Sequence, residues 1–116
     1  MEKMENLVIL WTTADREVAI KMIFMYALNA KIKNWWKEVE VVIWGPSTNL
    51  ISHDKDLQIS LKSLKEKGIK IRACKACSDE YNVTDILEKN LNLEVIYMGE
   101  PLTAILKSSE YKLITF

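Results

Sequence analysis

Short, continuous apolar runs recur along the chain, and a longer amphipathic stretch separates most of them from the next. The runs cover residues 7–12, 39–44, 69–73, 93–98 and 111–116. In the first two runs apolar and polar residues do not alternate, so these runs predict strands that are buried on both faces. Strands that alternate with helices favour an α/β fold with a mainly parallel five-stranded sheet, covered by helices on both sides. The pattern leaves the direction of the last strand open.

The stretch after the first strand predicts a long helix. It begins at Thr13 or Asp15, either of which can cap it, and it runs to about Lys33. Its apolar positions form an arc that is wider than one contact with a sheet requires. Two explanations remain open: the helix packs against another subunit as well, or it is sunk deeply into its own domain.

Three more helices are predicted further along the chain. One covers residues 54–67 and stops at Gly68, a residue type that commonly ends helices. A short helix begins at Thr84, which we expect to cap it. The last helix starts near Pro101, because proline suits a first helical turn, and it runs through Lys107.

The segment after the second strand is predicted to leave the sheet sharply. Gly45 permits a sharp exit, Pro46 cannot continue a strand, and Ser47 completes the exit. His53 follows in the polar sequence Ser-His-Asp, and we interpret it as a solvated residue of a loop or of a helix start.

Length and charge limit the class of protein. The 116 residues fit one domain spanning residues 1–116. Sixteen basic and sixteen acidic side chains give a net charge of zero, which argues against nucleic acid as the main partner. No apolar run approaches the ~20 residues needed to span a bilayer, so no membrane partner is expected. The N-terminus lacks secretory character, and we therefore expect a cytoplasmic protein.

Cys74 and Cys77 are the only two cysteines, and they directly follow the third predicted strand. A cysteine reacts as its thiolate, which positive neighbours stabilise, and Arg72 and Lys75 are close in sequence. The pair can carry sulfur as a persulfide, act as a dithiol, or be passive. A zinc site needs four ligands, and only His53 and carboxylates could complete one, so no metal is predicted.

Other polar residues are expected near the cysteines, because ligands of open α/β sheets bind at the carboxyl ends of the strands. Asp15, Ser47 and Asp79 each follow a predicted strand, and they are candidate substrate-binding walls of this cleft. The simpler role for Asp15 is a helix cap. The three glycines are isolated from one another, so there is no dinucleotide or phosphate loop, and no cofactor is predicted.

The cysteine segment resembles that of the DsrE/DsrF-like family, which includes the TusD-type sulfur-relay subunits. In that family a strand leads to a cysteine and then to small residues that begin a helical turn. Here the strand is residues 69–73, the cysteine is Cys74, and residues 75–83 follow. The family's sulfur-carrying cysteine falls on Cys74, whereas Cys77 departs from the relay pattern. Residues 14–16, 43–47 and 97–99 resemble stand-alone DsrE-like proteins, a subgroup largely without an assigned function.

This resemblance implies a three-layer α/β/α sandwich of the DsrE/YchN type, assembled as a homo-oligomer of two, three or six copies. It also implies sulfur transfer through a persulfide on Cys74, with sulfur donor and acceptor proteins as partners. Cys77 lies outside the family pattern, and we expect it to resolve that persulfide or to assist it. A non-catalytic small-molecule-binding or assembly module with passive cysteines is the alternative. A dithiol oxidoreductase is the third hypothesis.

Overall fold

The five apolar runs form a parallel sheet in the computed structural model, which describes residues 5–116. The strands are β1 (Asn6–Trp11), β2 (Glu38–Ile43), β3 (Lys70–Cys74), β4 (Glu94–Ile96) and β5 (Tyr111–Thr115). Their order across the sheet is β4-β3-β2-β1-β5, and every neighbouring pair is parallel. The last strand, whose direction the pattern left open, therefore runs with the others.

Helical segments fill the connections between the strands. The first helix, α1, comprises the consecutive segments Arg16–Val18, Ala19–Phe24 and Met25–Ile32, of which the middle one is π-helical. The others are α2 (Pro46–His53), α3 (Lys55–Glu66), α4 (Lys75–Glu80), α5 (Ile86–Asn90, π-helical) and α6 (Gly99–Lys107). Asp15 caps α1 by accepting from the N–H groups of Glu17 and Val18.

Helix α2 was not predicted, and the interpretation of His53 as a loop or helix-start residue is wrong, because His53 is the last residue of that helix. Gly45 has φ 72° and ψ −139°, a backbone conformation that residues with a side chain rarely adopt, and it turns the chain out of β2. Pro46 then occupies the first helical turn, where its fixed φ suits a helix and its missing N–H costs nothing. The proline that ends the strand therefore also starts a helix.

The two faces of the sheet are covered by different helices. Successive side chains along each strand point to opposite faces. Leu7, Ile9 and Trp11 of β1 point to the face that α1 and α3 cover, where most of the hydrophobic core lies. Val8 points to the opposite face, into a smaller cluster with Ile105 of α6. Helices on both faces of a parallel sheet confirm the predicted α/β sandwich.

The connections on either side of β4 leave the sheet on opposite faces. The β3–β4 connection packs Leu87 and Leu91 into the larger core, and the β4–β5 connection packs Met98 and Ile105 into the smaller cluster. Neighbouring strands whose connections diverge in this way open a crevice at their carboxyl ends. In this chain that crevice lies between the ends of β3 and β4, where Cys74 is the register partner of Ile96.

The outer side of α1 remains apolar and exposed, as its wide apolar arc indicated. Met25 is 56% exposed and Trp35, just beyond the helix, is 51% exposed. Together with the edge strand β5 they line a groove of about 560 Å³. The groove is lined by Met22, Met25, Tyr26, Trp35, Ile114 and Phe116, among others. The first helix thus has one face in its own core and a second apolar face that residues 5–116 leave uncovered.

Candidate functional site

The two cysteines lie at the crevice between β3 and β4 but differ in exposure. Cys74 ends β3 and is the residue preceding the first turn of α4, and only 4% of it is exposed. Its side chain packs among apolar residues of the smaller cluster, including Val42 and Met98. Cys77 lies one turn into α4, packs against the same cluster and is partly exposed. Solvent therefore reaches Cys77 more easily than Cys74.

Two neighbours alter the chemistry of the Cys77 thiol. It lies in the same apolar cluster as Cys74, and it accepts a hydrogen bond from the backbone N–H of Gly45 at 3.3 Å. Burial raises the pKa of the Cys77 thiol, the N–H of Gly45 acts in the opposite direction, and the interaction with Cys74 raises it further. The net result is a pKa above the usual value for cysteine, so Cys77 is mainly a thiol at neutral pH.

Ser47 holds the loop that presents Gly45. It is fully buried, and its hydroxyl donates to the carbonyl of Trp11 at 2.5 Å. Its backbone N–H donates to the carbonyl of Thr12 at 3.0 Å, and the N–H of Trp44 donates to the carbonyl of Trp11 at 3.1 Å. These bonds fix the exit from β2 against the end of β1. Ser47 offers no surface to a ligand here, so its role in substrate binding stays a prediction.

Asp79 and Asp15, the other two candidate wall residues, are exposed but already hydrogen-bonded. Asp79 accepts from the hydroxyl of Thr84 at 2.6 Å and pairs with Lys75 at 3.2 Å. These partners, Thr84 first, hold the pKa of the Asp79 carboxyl below its usual value. The hydroxyl of Thr84, which was expected to cap a helix, binds the Asp79 side chain instead. Asp15 caps α1, so ligand binding by either carboxylate stays a prediction.

The two cations near Cys74 in sequence are both paired with carboxylates. Arg72 points to the same face of the sheet as Cys74, two residues away, and its Nε atom bonds to the Glu40 carboxylate across β2 and β3. Lys75 pairs with Asp79, which raises the pKa of the lysine, and its Nζ lies 5.9 Å from the ring centroid of Tyr97. Neither cation is left to stabilise a cysteine thiolate by itself.

A pocket of about 410 Å³ opens at the same edge of the sheet, beside the loop that carries Gly45. It is lined by Ala14, Pro46, Asn49, Leu50, His53, Asp54 and Tyr81. Tyr81 follows α4, and its N–H donates to the carbonyl of Cys77. The imidazole Nδ1 of His53 is 2.9 Å from the carbonyl of Asn49. Sequence reasoning missed this pocket because it depends on α2, and the signal for α2 was Pro46 after Gly45.

Two features of residues 5–116 bear on cofactors and membranes. In that part of the chain, no three His, Cys, Asp or Glu side chains are grouped as ligands of a metal ion would be. None of its helices combines the length and the apolar character that crossing a bilayer requires.

A model of the DsrE/DsrF-like family matches residues 6–116. The chain belongs to the DsrE/DsrF-like family. No curated protein matches this DsrE-like chain. Its resemblance to the family, first seen in the cysteine segment, is thereby confirmed along nearly the whole sequence.

Solved structures extend this result to the fold. The conserved protein of unknown function BT1422 from Bacteroides thetaiotaomicron has a TM-score of 0.91 at 38% identity, over 97% of this chain and 95% of that one. MTH1491 from Methanobacterium thermoautotrophicum, also of unknown function, has a TM-score of 0.75 at 16% identity, over 97% and 99% of the two chains. The ychN protein from E. coli has a TM-score of 0.68 at 12% identity, over 98% and 100%. The DsrE/YchN-like fold is therefore confirmed.

Proposed function

We propose that this DsrE-like chain transfers sulfur and carries it as a persulfide on the pair Cys74 and Cys77. The packing of both cysteines, three residues apart, in one apolar cluster at the crevice where parallel sheets bind ligands is the observation that carries this proposal. Membership of the DsrE/DsrF-like family supports it. Both cysteines are free, as a persulfide carrier in a reducing cytoplasm requires. Sulfur donor and acceptor proteins are the proposed partners.

The proposed chemistry moves one sulfur atom without net oxidation. A cysteine thiolate attacks the outer sulfur of a donor persulfide, R–S–SH, and the S–S bond of the donor breaks. The protein gains Cys–S–SH, and the donor leaves as the thiolate R–S⁻. An acceptor thiolate then attacks the outer sulfur of the protein persulfide, which restores the cysteine. Cys74 is the proposed carrying residue, because its apolar surroundings exclude other solutes from the sulfur.

Loading with sulfur should be visible in the intact mass of the protein. After incubation with glutathione persulfide, we expect the wild-type chain to gain about 32 Da, the mass of one sulfur atom. Blocking of free thiols followed by peptide mapping should place the added sulfur on Cys74. The double variant Cys74→Ser/Cys77→Ser is the matched control, and its mass should not change. A wild-type chain that gains no mass under these conditions would contradict the proposal.

A non-catalytic binding module remains the second candidate, because Cys74 is almost completely buried and a pocket of about 410 Å³ opens nearby. In that case the two cysteines are passive, and the pocket beside Pro46 and Tyr81 binds a small molecule. The loading experiment separates these functions, because passive cysteines gain no sulfur.

We also propose that the chain forms a homo-oligomer through the groove on α1 and β5. Its occupant would be a second copy of the same chain. Met25 and Ile114 expose apolar surface beside the unpaired edge of the sheet, and two β5 edges can meet in a self-complementary contact. A net charge of zero adds little repulsion between copies.

The substitution Met25→Lys is expected to dissociate this oligomer, because it places a charge in a buried apolar contact. Light scattering after size-exclusion chromatography should show a multiple of 13.5 kDa for the wild type and 13.5 kDa for the variant. Ile59→Lys is the matched control, since Ile59 is 68% exposed on α3 and lies outside the groove. An unchanged mass for Met25→Lys, or a monomeric wild type, would show that the groove is not the interface.

A further inference from the structure

The two cysteines differ in how easily a sulfur donor can reach them. Attack on a persulfide requires the thiolate sulfur to come into contact with the outer sulfur of the donor, so access limits the rate. Only 4% of Cys74 is exposed, and apolar side chains such as Met98 surround it. Cys77 is partly exposed and lies on α4, three residues after Cys74. A donor therefore reaches Cys77 first.

We propose that Cys77 receives the sulfur from the donor and passes it to Cys74, which stores it away from solvent. This inference rests on the proposed sulfur-transfer function and assigns a separate step to each cysteine. Both side chains pack in the same apolar cluster, three residues apart at the start of α4, so the second step is an exchange within one helical turn.

Two displacements complete the transfer. First, the Cys77 thiolate attacks the outer sulfur of R–S–SH, so that Cys77–S–SH forms and R–S⁻ leaves. Second, the Cys74 thiolate attacks the outer sulfur of Cys77–S–SH, so that Cys74–S–SH forms and Cys77 leaves as its thiolate. The proton lost by Cys74 returns to Cys77. Each step breaks one S–S bond and forms one, and neither needs an oxidant or a reductant.

The N–H of Gly45 assists Cys77 in both steps. It donates to the Cys77 sulfur at 3.3 Å, and the sulfur carries negative charge when it attacks and again when it leaves. Gly45 holds this position through its positive φ, and Ser47 fixes the loop against β1. Because the pKa of the Cys77 thiol lies above its usual value, its thiolate fraction grows as the pH rises towards that pKa. Loading should accordingly accelerate between neutral and alkaline pH.

A different second step would give different products. If Cys74 attacked the inner sulfur of Cys77–S–SH, the two cysteines would form a disulfide and release one HS⁻. The protein would then lose about 2 Da instead of gaining about 32 Da. The difference in exposure predicts which cysteine reacts with the donor first. The change in protein mass then shows whether Cys74 attacks the outer or the inner sulfur of Cys77–S–SH.

The test compares the wild type with Cys77→Ser and Cys74→Ser in time courses with glutathione persulfide, followed by thiol blocking and peptide mapping. The wild type should carry the added sulfur on Cys74. Cys74→Ser should retain it on Cys77, because the second step is blocked. Cys77→Ser should load more slowly by roughly an order of magnitude or more, since a donor has poor access to Cys74. Cys77→Ala provides a second variant in case the serine disturbs folding, which thermal unfolding would reveal.

The possible outcomes separate failure of the Cys77 step from failure of the proposed function. Loading of Cys77→Ser at the wild-type rate would overturn the receiving role of Cys77 and leave sulfur transfer through Cys74 intact. Loss of about 2 Da with release of sulfide would overturn transfer of the outer sulfur to Cys74. If the wild type and both single variants fail to load, the proposed function fails together with this inference.

Discussion

Replacement of Trp11 by alanine is expected to lower the free energy of unfolding by about 3–5 kcal/mol, the usual cost of removing a large aromatic side chain from a core. Trp11 is fully buried at the end of β1. Its ring packs edge-to-face on Phe24, with 5.3 Å between the ring centroids and 85° between their planes. Its indole N–H donates to the carbonyl of Thr13 at 2.9 Å. Urea unfolding followed by circular dichroism would measure the loss.

The matched control for this change is an exposed aromatic residue. Tyr97 is 64% exposed, and Tyr97→Ala should change the free energy of unfolding by no more than about 0.5 kcal/mol. A loss below about 1.5 kcal/mol for Trp11→Ala would mean that the core collapses into the space left by the indole. The position also bears on the site, because the carbonyl of Trp11 holds both Ser47 and Trp44.

The strands could be predicted because each is a short segment rich in apolar residues, but the order of the strands in the sheet could not. Burial on both faces makes residues 7–12 and 39–44 look alike, and nothing in such a run states which strand lies beside it. The direction of β5 was equally open, since this edge strand is mostly exposed or half-buried. Consequently the divergence of connections around β4, which places Cys74 at a crevice, became visible only in the folded chain.

Helix α2, which the sequence analysis did not predict, shows how one residue can carry two signals. Pro46 was interpreted as the end of a strand, which is correct, but proline also favours a first helical turn. Residues 46–53 are polar and small at many positions, so no strong apolar stripe indicated the helix. The pocket beside Pro46 and Tyr81 could not be predicted without this helix, because Asn49, Leu50 and His53 line that pocket from α2.

The candidate site was predicted in part. The position of Cys74 after a strand identified the crevice, but the difference in exposure between Cys74 and Cys77 depends on how α4 lies against the sheet. The N–H of Gly45 reaches the Cys77 sulfur across 32 residues of sequence, a contact that no local spacing encodes. Arg72 was correctly noted as close to Cys74 in sequence, yet its orientation and its pairing with Glu40 required the register of β2 and β3.

The Glu40–Arg72 pair leads to the second large prediction, which is that a double substitution restores most of the stability that either single substitution removes. Only 9% of the Glu40 side chain and 12% of the Arg72 side chain are exposed. Glu40→Leu would leave the guanidinium largely buried without its partner, and Arg72→Met would do the same to the carboxylate. Each single variant is expected to lose about 3 kcal/mol of unfolding free energy, because an uncompensated buried charge is costly.

The double variant Glu40→Leu/Arg72→Met should regain most of that loss and unfold within about 1 kcal/mol of the wild type, because two apolar side chains of similar volume need no solvent. Urea unfolding of all four chains forms a double-mutant cycle, and its coupling energy measures the pair itself. Additive losses in the double variant would show that Glu40 and Arg72 act independently. A large coupling energy would instead mean that Arg72 is held by Glu40, so that the thiol chemistry at Cys74 proceeds without help from this cation and depends on Cys77 and the N–H of Gly45.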